Sequence, residues 1–231
     1  VLKPKRQVRA LPAARRLAAA EAPQFDAAFR TKLHALLAWR RDVRRFRREP
    51  LPDGAIERLV AFASLAPSVG LSQPWRFVLV ETAARREAIR EDFSRCNAAA
   101  LAAQAPERTR VYARLKLAGL DEAPCQLAVF ADHATNQGHA LGRRTMPETI
   151  EYSAVMAAHT LWLAARADGI GMGWVSILDP TAVTAALDVP PEWRLIGYFC
   201  LGYAEGDDTV PALERAVWER RRSAAEFLFR R

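Results

Sequence analysis

Large apolar residues recur along this chain at two spacings, and the spacings predict its elements. Phe25, Phe29, Leu33, Leu36 and Leu37 fall at three- and four-residue steps, which predicts a helix over about 25–39 with one apolar face. Pro50 and Pro52 interrupt the pattern. A second helix starts near Pro52, carries Ile56, Leu59, Val60 and Ala63 on its apolar side, and stops at Pro67. Residues 83–95 and 106–118 read as polar surface helices, and 148–168 as a long helix with Val155, His159, Trp162 and Leu163 inward and Gly169 at its end. Three short runs read as strands: 76–81, 126–131 and 194–203. A fourth, from Gly171 to Leu178, runs into a turn at Asp179-Pro180, followed by a short helix to about Leu187. Residues 133–146, with His, Asn, Gln and two Gly, form a loop.

Helices and single strands alternate without a steady βαβ rhythm. The expectation is an α+β fold: a small mixed sheet flanked by helices. Gly169-Ile170-Gly171-Met172-Gly173 is not a dinucleotide fingerprint, because a helix precedes the glycines and a strand follows them. Residues 1–24 read as a basic arm and 25–231 as the folded domain, which ends in an extension from about 205. That extension has little core of its own, so Trp218, Phe227 and Phe229 are expected to bury against a second subunit.

Composition narrows the classes. Of 231 residues, 51% are hydrophobic and 26% charged, enough to build a core. No apolar run reaches the ~18–20 residues of a membrane span. The opening residues lack the apolar stretch of a secretory signal, so a cytoplasmic location and no membrane partner are the expectation. The net charge of +8 is uneven: residues 1–50 carry 14 basic and 4 acidic groups, 215–231 carry 6 and 2, and the body between them 14 and 20. Basic ends on an acidic body suit a small phosphate better than nucleic acid, and no nucleic-acid partner is expected. Cys96, Cys125 and Cys200 are too far apart for a zinc motif; no metal is expected, and Cys125 and Cys200 read as core.

Two segments carry the candidate chemistry. Arg40-Arg41-Asp42-Val43-Arg44-Arg45 sets one carboxylate among guanidiniums, which bind phosphate through paired N–H groups and stay charged. Asp42 either neutralises its neighbours or stands as a base beside a bound anion. Pro67-Ser68-Val69-Gly70-Leu71-Ser72-Gln73-Pro74-Trp75 offers hydroxyls and close backbone approach, with the Gln73 amide free to meet a polar ring edge. His133, His139 and His159 are not spaced for metal, and Trp162 and Trp174 read as core.

Arg-Arg-Asp-Val-Arg at 40–44 resembles the Arg-Arg-Ser-x-Arg run of the nitroreductase-like flavoproteins, and 68–75 resembles their Ser-x-x-x-x-Gln-Pro-Trp loop. The helix at 148–168 and the segment 169–178 are similar to their later half, so the likeness covers about residues 30–222. Asp42 where most relatives carry Ser, Ser176 after Gly-Trp-Val, and Leu115–Pro124 resemble the flavin-destroying branch of that family. The resemblance implies oxygen-dependent fragmentation of reduced FMN, with FMNH2 and O2 as substrates, giving the dimethylbenzimidazole lower base of cobalamin and erythrose 4-phosphate. It also implies a homodimer embraced by the C-terminal arm and a flavin reductase as supplier. By position, it implies that Arg40 and Ser68 contact the phosphate or ribityl chain, that Arg41, Val43, Gly70 and Ser72 also bind the cofactor, and that Arg44 lies by the N1–C2 edge. Backbone N–H groups near Ser176 and Ile177 face N5, the Ser176 hydroxyl meets the oxygen-reactive edge, and Asp42 accepts a proton. Arg221 is the match for the family's C-terminal phosphate arginine, although Glu219 departs from the pattern. The alternative is an NAD(P)H-dependent nitro- or quinone reductase.

Overall fold

The structure, a computed structural model, describes residues 22–231. The expected basic arm therefore lies outside the described residues except for its last three positions. In chain order the elements are α1 (Ala27–Trp39), α2 (Ala55–Ala63), β1 (Trp75–Leu79), α3 (Ala83–Ala102), α4 (Pro106–Tyr112), β2 (Cys125–Asp132), α5 (Thr149–Ala167), β3 (Gly171–Val175), α6 (Pro180–Leu187), β4 (Trp193–Gly202) and α7 (Ala212–Arg215).

The four strands form one sheet in the order β1-β2-β4-β3, and every strand pair is antiparallel. The expected mixed sheet is corrected to this extent: the single parallel pairing among the described residues is the bridge from Asp42 to Met172, at the sheet's edge. Successive side chains of a strand face opposite ways, so β2, buried at all eight positions, feeds two cores. Leu127 and Val129, with Phe199 and Leu201 of β4, pack against Leu59 of α2 and Ala157 and Leu161 of α5. Ala128 and Phe130, with Tyr198 and Cys200, pack against Ile89 of α3 and Val183 and Leu187 of α6. The result is helices on both faces of a central sheet. Burial raises the Cys125 thiol to about 11 and the Cys200 thiol to about 12, as befits core groups.

Several boundaries differ from expectation. Helix α5 turns Ala154, Ala157, Ala158 and Ala165 onto the sheet, while Val155 and His159 face outward. Close packing selects small residues over the first half of the buried face, while Leu161 and the expected Trp162 are buried with them and Leu163 is half-buried. β3 stops at Val175, and Ser176 lies beyond it. Helix α4 ends at Tyr112, where the chain tightens through bonds from Arg114 N to Val111 O and from Leu115 N to Tyr112 O. Residues 114–121 then run as an irregular strip, fixed by a buried chain: Tyr198 Oη donates to Gln126 Oε1 (2.6 Å) and Gln126 Nε2 donates to Leu120 O (2.8 Å). Trp218 packs on its own chain, 6.0 Å from the Tyr112 ring and under Arg108, so only Phe227 and Phe229 of the three expected rings stand exposed, at 63% and 71%.

Candidate functional site

The site begins where α1 ends. Arg40 N donates to Leu36 O and closes the helix, and the chain leaves in extended form. Val43 N donates to Met172 O (3.0 Å), and Phe46 bridges to Ala204, so residues 42–46 lie along the outer edge of the sheet. Phe46, 1% exposed, sits against Gly119, where any Cβ would strike its ring. Gly171 and Gly173 admit the segment on the strand side: a Cβ on Gly171 would press on Val43 Cγ2 at 2.9 Å, and one on Gly173 would collide with Val43 O.

That docking fixes Asp42. Its Oδ1 accepts from Trp174 N (2.7 Å), and its Oδ2 accepts from Arg44 Nε and is paired with an Arg44 terminal nitrogen, both at 2.8 Å. Arg44 also donates to Lys116 O (3.1 Å), tying the carboxylate to the irregular strip. A guanidinium–carboxylate pair held through two nitrogens fixes orientation as well as charge. The neighbouring arginines divide in role. Arg40 lies 4.8 Å over the Trp162 ring. Arg41 donates to Thr209 O, from Nε at 2.7 Å and again from a terminal nitrogen, and to Arg40 O, so it holds the start of the C-terminal segment. Burial and Arg221 lower the proton affinity of Arg40, while Asp42 opposes them; burial, Arg221 and Arg40 lower that of Arg41.

Two adjoining cavities open on this segment. A cavity of about 150 Å³ is lined by Arg40, Arg41, Asp42 and Arg44, with Pro211–Leu213 and Arg221. A larger one, of about 430 Å³, shares Arg41, Asp42 and Arg44 and adds Val43, Arg114, Leu115, Lys116, Arg166 and residues from 205 to 216. The expected Arg40, Arg41, Asp42, Val43, Arg44 and Arg221 are thus brought together. Arg40, Arg41 and Arg221 face one small cavity whose only carboxylate, Asp42, is taken up by Arg44. Such a donor set fits a phosphate.

The other expected residues stand apart. Ser68, Gly70, Ser72, Ser176 and Ile177 line neither cavity. Ser68 Oγ accepts from Gln73 N (3.1 Å), and Val69 N donates to Ser153 Oγ (3.0 Å) on α5. Gly70 faces Leu141 O and Gly138 O, and Ser72, 2% exposed, turns its hydroxyl inward without a protein partner among the described residues. Ser176 is exposed and Ile177 half-buried beyond β3. Arg114 and Arg166 carry no distinguishing signal in the sequence, and Lys116 stands out only as part of the Leu115–Pro124 resemblance, without a site role. The pattern places Arg114 and Lys116 in a surface helix that in fact ends before them, and Arg166 reads as an ordinary basic residue in the last turn of α5. Among the described residues no three His, Cys, Asp or Glu gather to hold a metal.

Residues 37–203 match the nitroreductase family, and the chain belongs to it. Within that family it is 62% identical over 200 residues to the 5,6-dimethylbenzimidazole synthase of Rhodospirillum rubrum, covering 87% of this chain and 95% of that protein. A Rhodobacter capsulatus enzyme of the same name is 47% identical, over 84% of this chain and 94% of that one. Among solved structures, oxidised iodotyrosine deiodinase bound to FMN and 3-iodo-L-tyrosine superposes with a TM-score of 0.64 at 25% identity, over 76% of this chain and 91% of the other.

Proposed function

We propose that this protein is a 5,6-dimethylbenzimidazole synthase that fragments reduced FMN with O2, yielding the lower base of cobalamin and erythrose 4-phosphate. The observation that carries this reading is the Asp42 carboxylate, fixed by Arg44 and Trp174 N where the two cavities meet. The 62% identity to a protein of that name supports it.

Bound reduced flavin supplies the oxygen-reactive ring and the ribityl chain that is cut. Arg40 and Arg221 hold the phosphate, and Arg41 keeps the C-terminal segment in place behind them. Arg44 sets a fixed positive charge against the N1–C2 edge, which stabilises charge where it develops. Asp42 accepts the ribityl proton: Oδ1 has a lone pair beyond its bond to Trp174 N. Such general-base help contributes about 10²–10⁴-fold. Ser68, Gly70, Ser72, Ser176 and Ile177 complete the enclosure, and their separation from the cavities within one protomer favours a homodimer, in which loops of a second copy close the site. The exposed Phe29, Leu33 and Leu37 on α1 and Val155 and Met156 on α5 supply an apolar face for that copy. A separate flavin reductase delivers FMNH2.

The test is to mix the protein with chemically reduced FMN in air and separate the products. Dimethylbenzimidazole and erythrose 4-phosphate are expected; quantitative recovery of intact oxidised FMN overturns the reading. Light scattering checks the dimer, with a stable monomer as the contrary result.

A further inference from the structure

The left-handed backbone of this protein is concentrated in two segments that touch. Gly70, Leu71 and Gln73 have φ of 56°, 56° and 41°, and Gly138, His139, Ala140 and Gly142 have φ of 79°, 49°, 59° and 82°. Leu71, Gln73, His139 and Ala140 are not glycine, so each carries a conformational cost that its surroundings must offset. The surroundings are each other. A Cβ on Gly138 would lie 2.5 Å from Gly70 O, and one on Gly70 would lie 2.9 Å from Leu141 O, so the two backbones meet with no side chain between them. Across the same contact Gln137 Nε2 donates to Leu71 O (2.8 Å) and to Gln73 Oε1 (3.0 Å).

We infer that Gln137 and Gly138, in the loop between β2 and α5, are positioning residues for flavin binding: they hold the Ser68–Gln73 loop in its strained, ligand-ready conformation without touching the ligand. The inference rests on the proposed placement of that loop at the flavin. Apart from this contact, Ser68–Gln73 is anchored at its start through Val69, whose N donates to Ser153 Oγ and whose side chain packs on the core, at its end by Arg76 donating to Gln73 O (3.2 Å), and through local turns. Releasing the Gln137 bonds lets Leu71 and Gln73 relax toward ordinary φ values and misaligns the groups offered to the flavin. The loss is one of uniform binding, so KM rises while kcat on the loaded enzyme stays near the parent value.

The experiment measures FMN affinity by flavin fluorescence, KM and kcat for FMNH2, and thermal stability, for Gln137→Ala, Gln73→Ala, their double variant and Gly138→Ala. Gln137→Ala is expected to weaken FMN binding and raise KM about three- to tenfold, the effect of one or two hydrogen bonds, with kcat within about twofold. The double variant should fall short of the product of the single effects, because one contact is lost only once. Gly138→Ala should have a larger effect; Gln137→Ala keeps the test open if that variant fails to fold. Lowered melting temperature with parental FMN affinity and KM in Gln137→Ala overturns the inference, as does full multiplicativity in the double variant. If the parent protein makes no dimethylbenzimidazole yet Gln137→Ala still weakens FMN binding, the functional reading fails and the positioning role stands.

Discussion

Arg44 grips one oxygen of Asp42 with two nitrogens at 2.8 Å, while Trp174 N takes the other at 2.7 Å. The carboxylate is thus aimed by a side chain two residues away and by a strand more than a hundred residues later. A base held in this way has its direction set before any ligand arrives, which is the condition for effective proton transfer.

Asp42→Asn keeps the acceptor for Trp174 N and removes the charge facing Arg44. FMNH2 binding under anaerobic conditions should stay within a few-fold of the parent, while dimethylbenzimidazole formation falls about 10²–10⁴-fold. Product yield by chromatography decides the matter; parental yield would remove Asp42 from the chemistry.

Arg40 and Arg221 line the same small cavity, and burial, with the charge of Arg221 adding to it and Asp42 opposing, weakens the hold of Arg40 on its proton. An anion between them relieves that repulsion. Arg221→Gln should raise the FMN dissociation constant about 10- to 100-fold, the range of one hydrogen bond to a charged group. Riboflavin, which lacks the phosphate, should bind parent and variant alike, and an equal loss for both flavins would contradict the assignment.

Gly173 lies where any Cβ would collide with Val43 O. Gly173→Ala should push the 42–46 segment off the sheet edge, at a cost of about 1–3 kcal/mol for overpacking, and carry Asp42 out of line. Denaturant unfolding and product yield should fall together. Parental values of both would show that the edge accommodates the methyl group.

His159 supplies a pH signature. Although His159 faces outward, partial desolvation of its ring, and after it the positive Arg40, hold its pKa below the usual 6.5. The folded protein then binds this proton more weakly than the unfolded chain, so stability from this group is present above pH 6.5 and lost as pH falls through the lower folded value. Melting temperature should drop on acidification below pH 6.5 more in the parent than in His159→Gln. By NMR, Arg40→Met should raise the His159 midpoint part of the way, since burial, the larger cause, remains. An unmoved midpoint would place Arg40 too far away to act.

Much of the fold was legible because it depends on local chemistry. Prolines 50, 52 and 67 bound α2, and Asp179-Pro180 opens α6 with Asp179 as cap, its carboxylate accepting from Thr181 N. The apolar runs of β2 and β4 became central strands for the same reason. Local pattern found the buried Trp162 of α5 but misplaced Val155 and His159, because the alanines that fill the inward face beside them carry little signal. Nor could it show that α4 stops at Tyr112, since residues 113–118 suit a helix well and are drawn out of it by their contacts with Arg44 and the Gln126 chain.

The same division runs through the site. Sequence alone determined that guanidiniums, a carboxylate and a hydroxyl-rich loop are present, because side-chain chemistry is a property of the residue. Tertiary structure decided what each one does. Arg40 and Arg221, far apart in the chain, share a cavity; Arg41 grips Thr209 O; Arg114 and Lys116 join Arg44 around the larger cavity; and Gly70 meets Gly138 backbone to backbone. These are pairings across long stretches of chain, made by the sheet's register and by glycines that leave room for close approach, and no spacing along the sequence encodes them.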